Sequence, residues 1–244
     1  MSNDDQEPRR KFLRQVISIV PASTLATGAA LTQTACSSGT STPTAAAPSS
    51  NAPYDPRYFT ADEWKFLHAA VDRLIPADEL GPGAVAAQVP VFLDKQMELP
   101  YGHGKLWYMQ GPFHTDQPPE MGYQLSLAPR DIYRLGIAAC DAYCKKQYNK
   151  IFADLDHATQ ETVLSDMEHN KVKFDQVPAN TFFSYLLKNT KEGFLSDPIH
   201  GGNADMVGWK LMGFPGARAD FADWATRPGE KYPYGPVSIS GRRG

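Results

Sequence analysis

Prolines and glycines divide this chain into short segments. Their spacing is the sequence feature that most restricts the length of the helices and strands it can form. The sequence holds 20 Pro and 19 Gly, and many lie in two stretches, residues 98–126 and the part after Gly193. Proline ends or opens a helix and is excluded from central strands, while glycine favours turns. We therefore expect helices of moderate length joined by long ordered loops.

The clearest helix start is at Thr60, where Thr60 and Glu63 have the spacing of a capping box. Behind it, apolar residues repeat at helical spacing until Pro76, which stops the run. The repeating residues are Trp64, Leu67, Val71 and Leu74. This pattern predicts a helix between Thr60 and Pro76.

Four more runs have the apolar period of a helix. They cover residues 90–97, 129–149, 158–169 and 180–192. Pro90 and Pro129 suit first helical turns, and Asp156 precedes the fourth predicted helix. The residues expected to face inward are Ile132, Leu135, Ala139, Ala142 and Tyr143 on the longest helix, Val163, Leu164 and Met167 on the next, and Phe182, Phe183, Leu186 and Leu187 on the last.

These runs predict a mostly α protein with a single irregular helical domain over residues 54–244. Hydrophobic residues make up 42% of the chain, which is enough for a core, and strand-like alternation is scarce. Residues 1–36 are predicted to be a signal segment. Residues 37–53 are almost entirely Ser, Thr, Ala, Pro and Gly, which predicts a flexible linker.

The N-terminal segment has the pattern of a twin-arginine export signal. Arg9 and Arg10 are followed by Phe12 and Leu13, and a weakly apolar stretch runs from Val16 to Leu31. Signals of this type address folded cargo to the twin-arginine export machinery. The alternatives are an ordinary secretory signal that carries two arginines, and an uncut membrane anchor. No later apolar run reaches the roughly 18 residues of a bilayer span.

Two cleavage sites are open. Small residues at 27–30 offer one, and Thr34 and Ala35 before Cys36 offer the other. Lipidation of Cys36 is a further alternative, but a lipobox has an aliphatic residue where this chain has Gln33. An unlipidated Cys36 is therefore favoured, and whether the signal is cleaved stays open.

Composition and motifs exclude several classes of function. The net charge is −3 and no long basic run lies outside the first fifteen residues, which argues against nucleic-acid binding. The nearest approaches to a dinucleotide-binding loop are Gly81-Pro82-Gly83 and Gly102-His103-Gly104, and neither continues correctly. The sequence has no Walker loop, nucleophile elbow or metal-ligand pair of histidines. We predict no catalytic, cofactor-binding or metal-binding residues in this chain.

Two cysteines, Cys140 and Cys144, lie four residues apart and therefore on one side of the longest predicted helix. Their nearly parallel Cβ directions disfavour a bond between them. Either both are small buried residues, or one forms an inter-subunit disulfide in an oxidising compartment.

Aromatic residues are concentrated in the two predicted loop regions. If the loops fold over their own helices, these residues belong to the core; if they face outward, they are anchors for protein–protein contact. The sequence favours neither alternative. The candidate partner-interface residues are Trp107, Tyr108, Phe113, Trp209 and Phe214.

Two groups of segments carry a specific resemblance to a known family. They are Trp107–Pro112 with Gly122–Leu125 and Pro129–Arg134, and Phe194–Pro198 with Gly201–Asn203 and Gly208–Gly216. Together with the twin-arginine leader, they make the chain resemble the small (gamma, or subunit 3) chain of membrane-bound gluconate 2-dehydrogenase complexes. The resemblance covers about residues 8–14 and 58–220.

The resemblance implies a role within a complex. A large flavoprotein subunit with FAD oxidises a sugar or sugar acid, and a multihaem c-type cytochrome subunit passes the electrons to quinone. The small chain has no redox centre; it binds the flavoprotein, aids its maturation and carries the export signal for both. The implied location is periplasmic, at the outer face of the bacterial inner membrane.

Several alternatives to this role stay open. Related small chains serve fructose, sorbitol, glucose or 2-ketogluconate dehydrogenases, so the substrate is not fixed by the resemblance. An independent periplasmic enzyme and a stand-alone lipid-anchored binding protein are different classes of function that the sequence also allows.

Overall fold

The computed structural model describes residues 54–244, and six α-helices lie in that range. They are α1 (Ala61–Leu74), α2 (Val89–Glu98), α3 (Pro129–Tyr148), α4 (His157–Glu168), α5 (Ala179–Leu195) and α6 (Val207–Met212). Short 3₁₀ turns occupy Pro119–Met121, Phe152–Asp154, Pro198–His200, Ala204–Met206 and Ala219–Thr226. Within the same range the extended segments form only isolated β-bridges. This architecture confirms the prediction of a mostly α protein.

Several sequence predictions lie outside the described residues. They are the signal segment over 1–36, the linker over 37–53, the export-signal residues Arg9, Arg10, Phe12 and Leu13, and the lipidation candidate Cys36.

Local capping chemistry starts two of the helices as predicted. At the start of α1, the Thr60 amide donates to the Glu63 carboxylate at 2.8 Å, and the Glu63 amide donates to the Thr60 hydroxyl at 3.4 Å. At the start of α4, the Asp156 carboxylate accepts from the Thr159 amide at 3.0 Å. These contacts satisfy amides that have no partner within the helix.

Helix α5 lies at the centre of the described fold and packs against each of the other five helices. Its Phe182 is fully buried, and the Phe182 ring centroid lies 6.0 Å from that of Phe66 on α1 and 6.0 Å from that of Tyr133 on α3. Fully burying an apolar side chain of this size contributes roughly 1.5–3 kcal/mol. The core therefore forms around α5, and both loop regions must be placed relative to this helix.

The buried face of α3 differs from the predicted one. Ile132 is buried as predicted, but Ala142 is exposed. The other three predicted positions, Leu135, Ala139 and Tyr143, are half-buried. The core contacts come also from Tyr133, Gly136, Ile137, Cys140 and Cys144. The physical reason lies at Gly136, where a Cβ would lie 2.3 Å from the Phe182 ring, so only glycine lets α5 approach this closely.

Replacing Gly136 with valine is expected to destabilise the domain by about 3 kcal/mol, because the new side chain overlaps the fully buried Phe182 ring. Urea denaturation measures the change. The matched control is Ala138→Val, at an exposed position of the same helix, where valine should cost only the helix-propensity difference, about 0.5 kcal/mol. Equal midpoints for the two variants would contradict a tight α3–α5 contact.

Candidate partner interface

The first loop (residues 99–128) is fixed to the helical core by hydrogen bonds to Asn189 of α5. Asn189 is fully buried, and its amide oxygen accepts from the hydroxyls of Tyr101 at 3.1 Å and Tyr133 at 3.0 Å. Its amide nitrogen donates to the Glu192 carboxylate at 2.7 Å. The buried amide is therefore satisfied on both sides, which fixes the start of the loop on α5.

A row of aromatic rings continues this attachment along the loop. Ring centroids lie 5.8 Å apart for Tyr101 and Trp107, 6.2 Å for Trp107 and Tyr123, and 6.2 Å for Tyr123 and Tyr185 of α5, all edge to face. Such pairs contribute about 0.5–1.5 kcal/mol each beyond their burial. Burial also raises the pKa of Tyr101 and Tyr123, so both hydroxyls remain protonated hydrogen-bond donors. Trp107, a predicted interface residue, is half-buried and holds the loop in place.

Four apolar side chains of the first loop are exposed above this row. Tyr108 is 77% exposed, Leu106 and Met121 are each 65% exposed, and Phe113 is 37% exposed. We call these four residues the outer loop surface. Aromatic residues and methionine are enriched at protein interfaces, and a rigid support lowers the entropy lost on binding. Tyr108 and Phe113 are therefore accessible for contact with a partner, and their role at an interface stays a prediction.

The two predicted interface residues after Gly193, Trp209 and Phe214, differ in their exposure. Trp209 of α6 is buried, and its indole N–H donates to the Leu195 carbonyl at 2.7 Å. Its ring packs edge to face against Phe214 at 5.3 Å, and Phe214 remains exposed. Trp209 therefore packs the end of α5 against α6 and is not a surface anchor, whereas Phe214 is available for contact.

The first loop and all six helices lie inside the region shared with one family. Residues 61–216 match the model of gluconate 2-dehydrogenase subunit 3. The chain belongs to the gluconate 2-dehydrogenase subunit 3 family. This confirms the resemblance predicted from the sequence. No curated protein and no solved structure matched the chain.

Beyond the part matched to the subunit 3 family, residues 217–235 form a C-terminal lobe with its own aromatic cluster. The ring of Tyr232 lies 5.1 Å from Phe221, 5.3 Å from Trp224 and 5.6 Å from Tyr234, all edge to face. The guanidinium of Arg227 lies 4.5 Å above the Trp224 ring. No residue of the lobe is buried. The lobe is therefore held together by its own rings and contributes nothing to the helical core.

The segment that enters α1 is also outside the matched region, and Asp94 of α2 fixes it. Asp94 is 0% exposed. Its carboxylate accepts four hydrogen bonds, from the Tyr54 hydroxyl at 2.7 Å and from the amides of Arg57, Tyr58 and Phe59 at 2.8, 2.9 and 3.0 Å. Sequence reasoning missed this residue. The available signal was a single acidic residue inside the apolar run of α2.

Two arginines of α3 hold the same segment from the other side. The guanidinium groups of Arg130 and Arg134 lie 4.6 and 4.5 Å from the Tyr58 ring centroid. Arg134 also donates to the Glu63 carboxylate at 2.8 Å and to the Tyr58 carbonyl at 3.0 Å. Cation–π contacts and charge-assisted hydrogen bonds together bind this segment to α3 as well as to α2.

Two of the three cysteines of this subunit 3 family member lie in the core. Cys140 and Cys144 are both fully buried and unbonded. Burial, together with the hydrogen bond to Cys144, raises the pKa of the Cys140 thiol, which keeps it in the unreactive protonated form. These facts favour the interpretation of both as small core residues. An inter-subunit disulfide stays a hypothesis that would require α3 to open.

Within residues 54–244, no three side chains of His, Cys, Asp or Glu come together as candidate metal ligands. In the same range, no helix combines the length and apolar character needed to cross a bilayer.

Proposed function

We propose that this chain is the non-catalytic small subunit of a membrane-bound, flavin-dependent gluconate 2-dehydrogenase-type complex. In this proposal it binds the flavoprotein large subunit, aids its maturation, and takes it through the twin-arginine route. FAD and haem c belong to the flavoprotein and to a multihaem c-type cytochrome subunit. The assembled complex works in the periplasm, at the outer face of the inner membrane. Family membership supports the proposal, and so does the Arg9-Arg10 pair.

The observation that carries the binding role is the outer loop surface. Leu106, Tyr108, Phe113 and Met121 are exposed on a loop that is attached to α5 through Asn189 and the aromatic row. A large apolar side chain left in water loses the stabilisation that burial would provide, so several on one attached loop favour a partner that covers them. A complex that survives export needs an interface well above about 1,000 Å² with an apolar centre.

Substrate choice in this proposal belongs to the flavoprotein. A gluconate 2-dehydrogenase-type complex is the first candidate, and a fructose, sorbitol, glucose or 2-ketogluconate dehydrogenase differs from it only in that partner. Purifying the complex through this chain and assaying those five substrates distinguishes them.

The double variant Leu106→Ala, Tyr108→Ala is expected to weaken flavoprotein binding at least about tenfold, the effect of losing roughly 1.4 kcal/mol at a contact centre. Its unfolding midpoint should be unchanged, because both side chains are exposed. Co-purification and titration of the two chains measure the effect.

The matched control is Tyr148→Ala. Tyr148 is also an exposed tyrosine, but it ends α3, whose other end adjoins the first loop. Unaltered binding in the loop variant would reject the outer loop surface as the contact. Recovery of the wild-type chain only as a free monomer would reject the subunit role itself.

A further inference from the structure

The carboxylate of Asp197 joins two distant parts of the chain. Asp197 follows α5 and is 8% exposed. It accepts hydrogen bonds from the Ile199 amide at 3.0 Å, the Ser238 hydroxyl at 2.8 Å and the Ile239 amide at 2.8 Å. Two of these three donors belong to the C-terminal end of the chain, so one side chain ties that end to the helical core.

Residues 236–240, which we call the clasp, are held by further contacts around Asp197. The Ala217 amide donates to the Val237 carbonyl at 2.7 Å, and the Val237 amide donates to the Pro215 carbonyl at 3.1 Å. Within the clasp, the Ser238 hydroxyl lies 2.9 Å from the Ser240 hydroxyl. Both ends of the C-terminal lobe are therefore held together by the hydrogen bonds between residues 215–217 and Val237.

The clasp lies against Gly216, which in turn lies against the ring of Trp209. A Cβ built on Gly216 would lie 2.2 Å from the Val237 carbonyl oxygen and 2.8 Å from the Trp209 ring. Gly216 is therefore enclosed between the clasp and α6. Opening the clasp would uncover Gly216 and so allow water to approach the buried Trp209 ring beside it.

Residues 217–235 of the lobe add little apolar burial against the rest of the protein. None of residues 217–235 is buried, so apolar burial does not fix their position. Hydrogen bonds to a charged group contribute about 1.5–3 kcal/mol each, and leaving the carboxylate unpaired costs more. Segments with little apolar burial and few anchoring bonds open locally before the whole domain unfolds. The Asp197 bonds are thus the strongest restraint on this end of the chain.

The electrostatics of Asp197 agree with this role. Burial acting alone would raise the pKa of Asp197, but the amides of Ile239 and Ile199, the Ser238 hydroxyl and the nearby His200 outweigh it. The net effect lowers the pKa, so the carboxylate stays charged and accepts all three bonds.

We propose that the hydrogen bonds of Asp197 act as a latch that controls a local opening of the C-terminal end of the chain. When the clasp is bound to the Asp197 carboxylate, the C-terminal lobe is docked. When the clasp is released, residues 217–244 detach while α1–α5 stay folded. This device is independent of which partner the outer loop surface binds.

Hydrogen exchange of the full chain tests the latch. In Asp197→Asn, amides of residues 217–244 are expected to exchange at least about tenfold faster, which corresponds to a loss of roughly 1.4 kcal/mol, because the amide keeps one acceptor oxygen and loses the charge. Amides of α1–α5 should keep their protection. Tryptophan fluorescence should shift toward the solvated form as Trp209 becomes accessible.

The matched control is Asp205→Asn. Asp205 forms an ion pair with Arg242 at 2.5 Å, but its side chain is 72% exposed, so the clasp should stay closed. A second variant, Ser238→Ala, removes one of the three bonds and should give a smaller acceleration confined to the same residues. Unchanged exchange in Asp197→Asn overturns the latch. Equal acceleration throughout α1–α5 also overturns it, because Asp197 would then stabilise the whole domain.

Discussion

Replacing Arg9 and Arg10 with lysine is expected to leave this chain and the proposed flavoprotein partner together in the cytoplasm. A planar, delocalised guanidinium and a compact ammonium are recognised differently, so two lysines should not replace the two arginines in a signal. A signal carried by one subunit serves both only if they cross as a folded complex. Cell fractionation with detection of both chains measures the result, and periplasmic dehydrogenase activity should fall to background.

The matched control for export is Arg14→Lys, which changes an arginine of the same segment outside the pair. It should leave both chains exported. A flavoprotein that reaches the periplasm while this chain is retained would contradict the escort role. Export of both chains in the Arg9, Arg10 variant would contradict the twin-arginine signal.

Replacing Asp94 with alanine is expected to lower the free energy of unfolding by about 3–5 kcal/mol. The variant removes the fully buried carboxylate that accepts from three backbone amides and from the Tyr54 hydroxyl. Each such group keeps its desolvation cost and loses its bond. Urea denaturation measures the change, and the segment from Tyr54 to Phe59 should lose hydrogen-exchange protection first.

Two further variants sharpen the Asp94 test. Asp116→Ala removes an exposed aspartate of the first loop and should cost less than about 0.5 kcal/mol. Asp94→Asn keeps the shape and one acceptor oxygen, so its effect should lie between those of the two alanine variants. An Asp94→Ala midpoint close to that of Asp116→Ala would show that residues 54–59 do not depend on this carboxylate.

Much of the helical architecture could be predicted because its signals are local. The capping pair Thr60 and Glu63, the N-cap Asp156 and the first-turn Pro129 act within one turn of their helices, and all three predicted starts are confirmed. The buried face of α3 could not be predicted in the same way. Apolar residues lie almost all round this helix, and the choice among its faces depends on Phe182, which comes much later in the sequence.

The candidate interface shows the same division between local and distant information. Sequence identified the aromatic residues but not their exposure, which depends on partners elsewhere in the chain. Trp209 is buried because the Leu195 carbonyl accepts its indole N–H, and Trp107 is half-buried because Tyr101 and Tyr123 flank it. Asp94 was missed because its four donors come from a segment that carries no motif of its own.

The closeness of the two lobe ends has an evolutionary consequence. Because Ala217 and Val237 meet through a single 2.7 Å hydrogen bond, the chain leaves and rejoins the body of the protein at one point. A stretch of different length or composition can replace residues 218–235 without shifting any α-helix, since none of these residues is buried. Members of the family can thus differ in the C-terminal lobe while the arrangement of the six helices stays the same.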